Sequence, residues 1–212
     1  MVDCKQLESR EKWLEERKNK IGGSDAACIL GLNPWKSNVN LWLEKKGELQ
    51  AEDISNKPVV KFGIDAEKPI RELFTLDHSM LKVQYFENNY WQNDKYPFAH
   101  ASLDGWFTDE NGHKGILEIK TVNIHGDNDL EWKNRIPIYY YTQCIHYLMV
   151  TEFDYVILKA RIKYNDDYIA IKHYEIYKKN ALKDIELLIK KEQEFYESLK
   201  KDKVPNLILP EI

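Results

Sequence analysis

The sequence predicts an α/β fold, a mixed central β-sheet flanked by helices. Three observations carry this prediction. Capped helical segments fill the first third of the chain, strand-like stretches cluster between residues 82 and 122, and a helix, two strands and a long helix follow. The 212 residues suffice for one domain with a substantial core. The expected organisation is a single domain over 1–212, with a core over about 10–165 and a C-terminal strand and long helix over about 166–205.

Leu7 to Lys20 reads as a charged helix with Leu7, Trp13 and Leu14 as its apolar contacts. Ile21-Gly22-Gly23-Ser24 leads into a short helix capped by Ser24 or Gly23 and ended by Gly31. Asn33 to Lys36 is a turn, and Ser37 caps a helix from Val39 to Lys46 that Gly47 closes. Residues 50–58 read as a loop. Val59 to Leu76 reads as a long helix on Val60, Ile64, Ile70, Leu73 and Phe74, where Pro69 predicts a kink or an earlier helix start. Strands are expected at Lys82–Phe86, Tyr90–Gln92, Ala101–Phe107 and Gly115–Val122. A polar loop, His125 to Asn134, precedes Pro137, which opens a tyrosine-rich helix from Ile138 to Met149. Two more strands, Tyr155–Ile162 and Tyr168–Tyr177, are joined at an Asn165-Asp166-Asp167 turn. The final helix, about Ala181 to Lys201, interleaves lysines with acids and reads as solvated along the surface.

No apolar run approaches the ~20 residues of a membrane span, and the first residues lack a signal peptide's apolar stretch. Cys4, Cys28 and Cys144 are scattered without CxxC spacing, as in a reducing compartment. A cytoplasmic protein is expected. The net charge of −4 argues mildly against a nucleic-acid partner, yet 31 basic residues suffice for one groove if they are segregated.

Chemistry concentrates in Asp104-Gly105 and Leu117-Glu118-Ile119-Lys120. The intervening Glu110-Asn111-Gly112 reads as a three-residue hairpin loop with Gly112 left-handed. Pairing Asp109 with His113 then sets Asp104 directly opposite Glu118, with Cβ atoms about 5 Å apart, a spacing suited to two oxygens on one cation. Lys120 shares the face of Glu118, while Leu117 and Ile119 point into the core. Mg²⁺ prefers carboxylate and water oxygens, and Lys120 suits the orientation of an attacking water or the stabilisation of phosphoryl charge. The bland alternative is a hairpin whose Glu118 and Lys120 are simply solvated.

Each remaining candidate has two readings as well. Glu67 is either an i,i+4 partner of Arg71 or a further ligand delivered by a helix. Gly22-Gly23-Ser24 is either an ordinary cap or a phosphate cradle, with Arg17 either a second phosphate contact or a solvated charge. Gln143, on the tyrosine-rich helix, is either a buried hydrogen-bonding group or a reach toward a metal's water. The six histidines show no ligand spacing.

In order along the chain, these pieces resemble the PD-(D/E)XK nuclease superfamily. More closely they resemble its phage recombination branch, the YqaJ-type viral recombinases and the lambda-type alkaline exonucleases, over about residues 10 to 150. Leu103 precedes Asp104, so the strict P-D signature is absent. The resemblance implies a Mg²⁺-dependent deoxyribonuclease, with Mn²⁺ able to substitute, that resects double-stranded DNA ends 5′ to 3′ and leaves a tail for a single-strand annealing protein. It implies Asp104, Glu118, the Ile119 carbonyl and Glu67 as metal ligands, Lys120 and Gln143 around the attacking water, and Arg17 and Ser24 on the 5′-phosphate. It also implies a homo-oligomer, by family precedent a trimeric ring. The competing readings are an endonuclease of the same superfamily and a catalytically inactive DNA-binding or assembly module.

Overall fold

The protein is described by a computed structural model over residues 1–124, 132, 135–164 and 168–209. Most of the expected loop at 125–134 and the turn at 165–167 lie outside the described residues. The fold is the expected α/β arrangement. In order, the elements are β1 (Val2–Gln6), α1 (Arg10–Lys18), α2 (Gly23–Ile29), α3 (Asn38–Lys46), α4 (Pro58–Asp77) and β2 (Asn89–Asn93). They continue with β3 (Gly105–Thr108), β4 (Lys114–Asn123), α5 (Ile138–Thr151), β5 (Tyr155–Lys163), β6 (Ile169–Tyr177) and α6 (Leu182–Lys200).

The main sheet runs β3-β4-β5-β6, with β4 and β5 parallel and the two outer pairs antiparallel. A parallel pair needs a crossover, and α5 supplies it. The two faces of the sheet bury separate cores. Ile116, Val156, Leu158 and Ala160 belong to the face packed by α5, with Ile145, Leu148 and Ile185. Leu117, Ile119 and Ile157 belong to the other, beneath Ile70 and Phe74 of α4. The β3–β4 hairpin has the expected register, Gly105 opposite Leu117 and Asp109 N–H on the His113 carbonyl at 2.9 Å, with Gly112 at φ +83°.

Several elements differ from expectation for definable reasons. β1 was not legible and pairs antiparallel with β2 in a separate two-stranded sheet, Val2 opposite Asn93. α1 begins at Arg10 because Ser9 caps it, its side chain accepting from Lys12 N–H at 3.2 Å. α2 is capped by Gly22, whose N–H donates to Asp25 Oδ2 at 3.0 Å, so Ser24 sits inside the first turn. α4 runs unbroken through Pro69. The bond Pro69 cannot donate would end on Asp65, and both residues are exposed, where water serves that carbonyl. The expected strand at 82–86 is a single bridge, Gln84 to Trp106.

The largest correction concerns α6, which is not a solvated helix. It buries Ile185, Leu188, Glu192 and Phe195, and each apolar side chain so buried contributes roughly 1.5–3 kcal/mol. Glu192 holds His146 of α5 at 2.7 Å through Nδ1, while Nε2 of that ring donates to the His100 carbonyl at 2.8 Å.

Candidate active site

β3 starts only at Gly105, so β4 loses its neighbour on that side from Glu118 onward. Asp104 fills the gap: its Oδ2 accepts from the Ile119 N–H at 2.8 Å. A residue's N–H and C=O lie on the same side of a strand, so the Ile119 carbonyl faces the same opening as Asp104. Glu118 opens toward α5, where its Oε1 accepts from Lys120 Nζ at 2.7 Å and from Gln143 Nε2 at 2.9 Å. Its second oxygen, Oε2, is buried and makes no hydrogen bond of standard geometry, with the Asp104 carboxyl beside the group. The Lys120 ammonium also lies 4.9 Å from the Tyr140 ring centroid.

Glu67 reaches the opening from the other face of the sheet. Gly63, one turn earlier, lets α4 lie close on β4, since a Cβ there would stand 3.3 Å from Thr121 Oγ1. Arg71, one turn later, donates through Nη1 to the Asp104 carbonyl at 3.0 Å and lies 3.5 Å over the Tyr85 ring.

The electrostatics are those of acids crowded out of water. Burial, then the Asp104 carboxylate, raises Glu118 to about 8 and Glu67 to about 7. Burial raises Asp104 too. Burial pulls Lys120 down, but the Glu118 carboxylate outweighs it and holds the ammonium above its usual range. A cation would relieve this repulsion, and the buried Glu118 Oε2 is an oxygen free to meet one. Among the described residues no three Asp, Glu, His or Cys side chains close a ligand cage by themselves. The oxygens within reach of an ion there are those of two adjacent carboxylates, a main-chain carbonyl and a helix glutamate. They suit a hard ion that keeps several of its waters.

Arg17 and Ser24 stand one step further out. Both glycines before Ser24 are packed close. A Cβ on Gly22 would meet His100 Nε2 at 2.9 Å, and one on Gly23 would meet Tyr147 Cε1 at 2.5 Å and Gln143 Cγ at 3.1 Å. The pair is therefore required by packing, whatever else it does. Ser24 is exposed, and Arg17 is half-buried with its guanidinium 3.9 Å over the Trp13 ring.

Two residues at the site escaped the sequence reading. The Tyr147 hydroxyl accepts from Gln143 Nε2 at 2.7 Å, which orients the amide that holds Glu118; the four-residue spacing from Gln143 was the available signal. The sequence presents Arg71 as an i,i+4 partner of Glu67, and no local pattern announces its bond to a main-chain carbonyl 33 residues away.

A model of the YqaJ-like viral recombinase domain matches residues 12–154. The chain belongs to that family. The matched span holds every site residue named above. An uncharacterized protein, YqaJ of Bacillus subtilis (strain 168), is 37% identical over 148 residues, 69% of this chain; the chain spans 44% of that relative's length. Among solved structures, an alkaline exonuclease (LHK-Exo) from Laribacter hongkongensis superposes with a TM-score of 0.63 at 15% identity, covering 91% of this chain and 93% of that one. The same exonuclease in complex with dAMP gives 0.62 at 15% identity over the same shares. This YqaJ-family chain therefore shares the alkaline-exonuclease, PD-(D/E)XK fold. No helix among the described residues is long and apolar enough to cross a membrane.

Proposed function

We propose that this YqaJ-family chain is a divalent-metal-dependent deoxyribonuclease, with Mg²⁺ as the natural ion, that resects double-stranded DNA ends 5′ to 3′. The observation that carries the reading is the buried Glu118 Oε2, without a hydrogen bond of standard geometry, beside Asp104, Lys120 and Gln143. Family membership and the likeness to an alkaline exonuclease support the same class of chemistry.

Asp104, Glu118, the Ile119 carbonyl and Glu67 would hold the metal. The chemistry an ion supplies at such a site is activation of a water and stabilisation of charge on the phosphate. Lys120, whose ammonium the neighbouring Glu118 carboxylate favours, serves as a donor and a positive charge beside the attacking water. Gln143, held by Tyr147, keeps the Glu118 carboxylate in one orientation and directs a polar group at the attacking water. Arg17 and Ser24 grip the terminal 5′-phosphate and set which bond reaches the carboxylates. The 3′ tail so produced is the substrate of a single-strand annealing protein, and copies of the chain assemble as a ring around the duplex.

The test is digestion of linear duplex DNA labelled at the 5′ or the 3′ end, with and without Mg²⁺, beside a covalently closed circle. Release of mononucleotide from the 5′ label with the circle intact is the expected result. A nicked circle would make the enzyme an endonuclease, and DNA retention without any Mg²⁺-dependent product would leave a binding module.

A further inference from the structure

A cleft of about 590 Å³ opens between α4 and the segment leading to β2, with Glu67 on its wall. Ligand sites of this size are common. Its lining includes Ile64, Lys68, Arg71, Glu72 and Tyr85. The charges are mixed, so the cleft is not a continuous cationic track for backbone phosphates. What the cleft offers is an aromatic ring. Tyr85 is 38% exposed, and Arg71 fixes it from 3.5 Å.

The ring is also placed by main chain. Gln84 exchanges two backbone bonds with Trp106, at 2.7 and 3.0 Å, which brings Tyr85 opposite Gly105 and beside Asp104. Gly105 permits that approach, since a Cβ there would stand 3.0 Å from Val83 Cγ1. Arg71 thus holds the Asp104 carbonyl and the Tyr85 ring with one guanidinium.

We infer that Tyr85, on the ring face that Arg71 does not cover, is a stacking platform for a nucleobase of the attacked strand, the second from its 5′ end. This rests on the nuclease reading above. From the carboxylates, one chain of contacts runs through Gln143 and Tyr147 to Gly23, on the α5 face of the sheet. The other runs through Arg71 to Tyr85, on the α4 face. A strand whose 5′-phosphate sits by Ser24 crosses the carboxylates with its first internucleotide phosphate. It then continues past Glu67, so the next base arrives at Tyr85. An aromatic face accepts any base, so the platform adds grip without sequence preference.

The experiment uses duplex DNA with 2-aminopurine at nucleotide 1, 2 or 8 of one 5′ strand, in EDTA to prevent cleavage, with a distal dye reporting retention by anisotropy. Fluorescence at nucleotide 2 should be quenched severalfold by the wild-type protein and by Tyr85→Phe, but not by Tyr85→Ala. Affinity should fall about tenfold in Tyr85→Ala, the loss that stacking of one base on one ring supplies. In the Mg²⁺ reaction that loss should appear in KM with kcat nearly unchanged. Equal quenching by Tyr85→Ala, or quenching confined to nucleotide 1 or 8, would overturn the platform and leave the nuclease intact. Failure of the wild-type protein to retain DNA ends would overturn both.

Discussion

Replacing Gly23 with alanine should separate packing from chemistry. The new Cβ would stand 2.5 Å from Tyr147 Cε1, 3.0 Å from Cζ and 3.1 Å from Gln143 Cγ, where ordinary contact begins near 3.4 Å. Something must move by nearly an ångström. Tyr147 is 6% exposed, and its hydroxyl accepts from Gln143, which in turn holds Glu118, so it has no free direction of retreat. Overpacking of this kind costs about 1–3 kcal/mol, offset by about 1 kcal/mol because Gly is a poor helix former. The net loss should be up to about 2 kcal/mol, read as a lower urea midpoint with an unchanged slope. Activity should fall far more, about a hundredfold, because an ångström of misplacement near reacting groups has that effect. Adding Tyr147→Leu makes room and should restore much of the stability but not the activity, since Gln143 loses its hydroxyl partner. A Gly23→Ala protein with wild-type stability and activity would refute the close-packing argument. Restored activity in the double variant would remove Tyr147 from the site.

Other consequences follow from the same contacts. Glu192→Ala strands the buried His146 Nδ1 and opens a void between α5 and α6; it should cost about 3 kcal/mol, seen as a melting temperature lower by roughly 6–12 °C. Burial would raise the Asp25 carboxyl, but Lys45 at 2.8 Å and the Gly22 N–H outweigh it and hold the group below its usual range. A depressed carboxyl contributes stability above its unfolded pKa and loses it as pH falls through the folded one. Asp25→Asn should therefore lower the melting temperature at pH 7, with the gap to wild type closing as pH drops below about 4; a gap constant with pH would contradict the assignment.

How far the sequence could be read depends on how local each interaction is. The hairpin register follows from a three-residue loop with one left-handed glycine, so the meeting of Asp104 and Glu118 was legible from a run of about fifteen residues. Helix α3, capped by Ser37, and helix α5, opened by Pro137, were legible for the same reason. β1 was not, because five residues give too short an alternation and the partner strand lies over 80 residues away. In α6 the stripe Ile185, Leu188 and Phe195 was present, but Glu192 interrupts it, and its burial makes sense only once His146 stands opposite. Gly22 and Gly23 suggested a phosphate cradle, whereas the side chains that exclude a Cβ come from residues 100, 143 and 147. Arg71 and Tyr147 were hidden likewise: each acts through a partner that only the tertiary fold brings near.

The most direct test of the site is a calorimetric titration of Mg²⁺ into the wild-type protein and Glu118→Gln. The amide keeps the shape but cannot give up a proton to become the anionic ligand an ion requires. The wild type should bind the ion, and Glu118→Gln should lose that binding while folding normally. Undiminished binding by Glu118→Gln would mean that the ion, and with it the proposed nuclease centre, does not depend on this carboxylate.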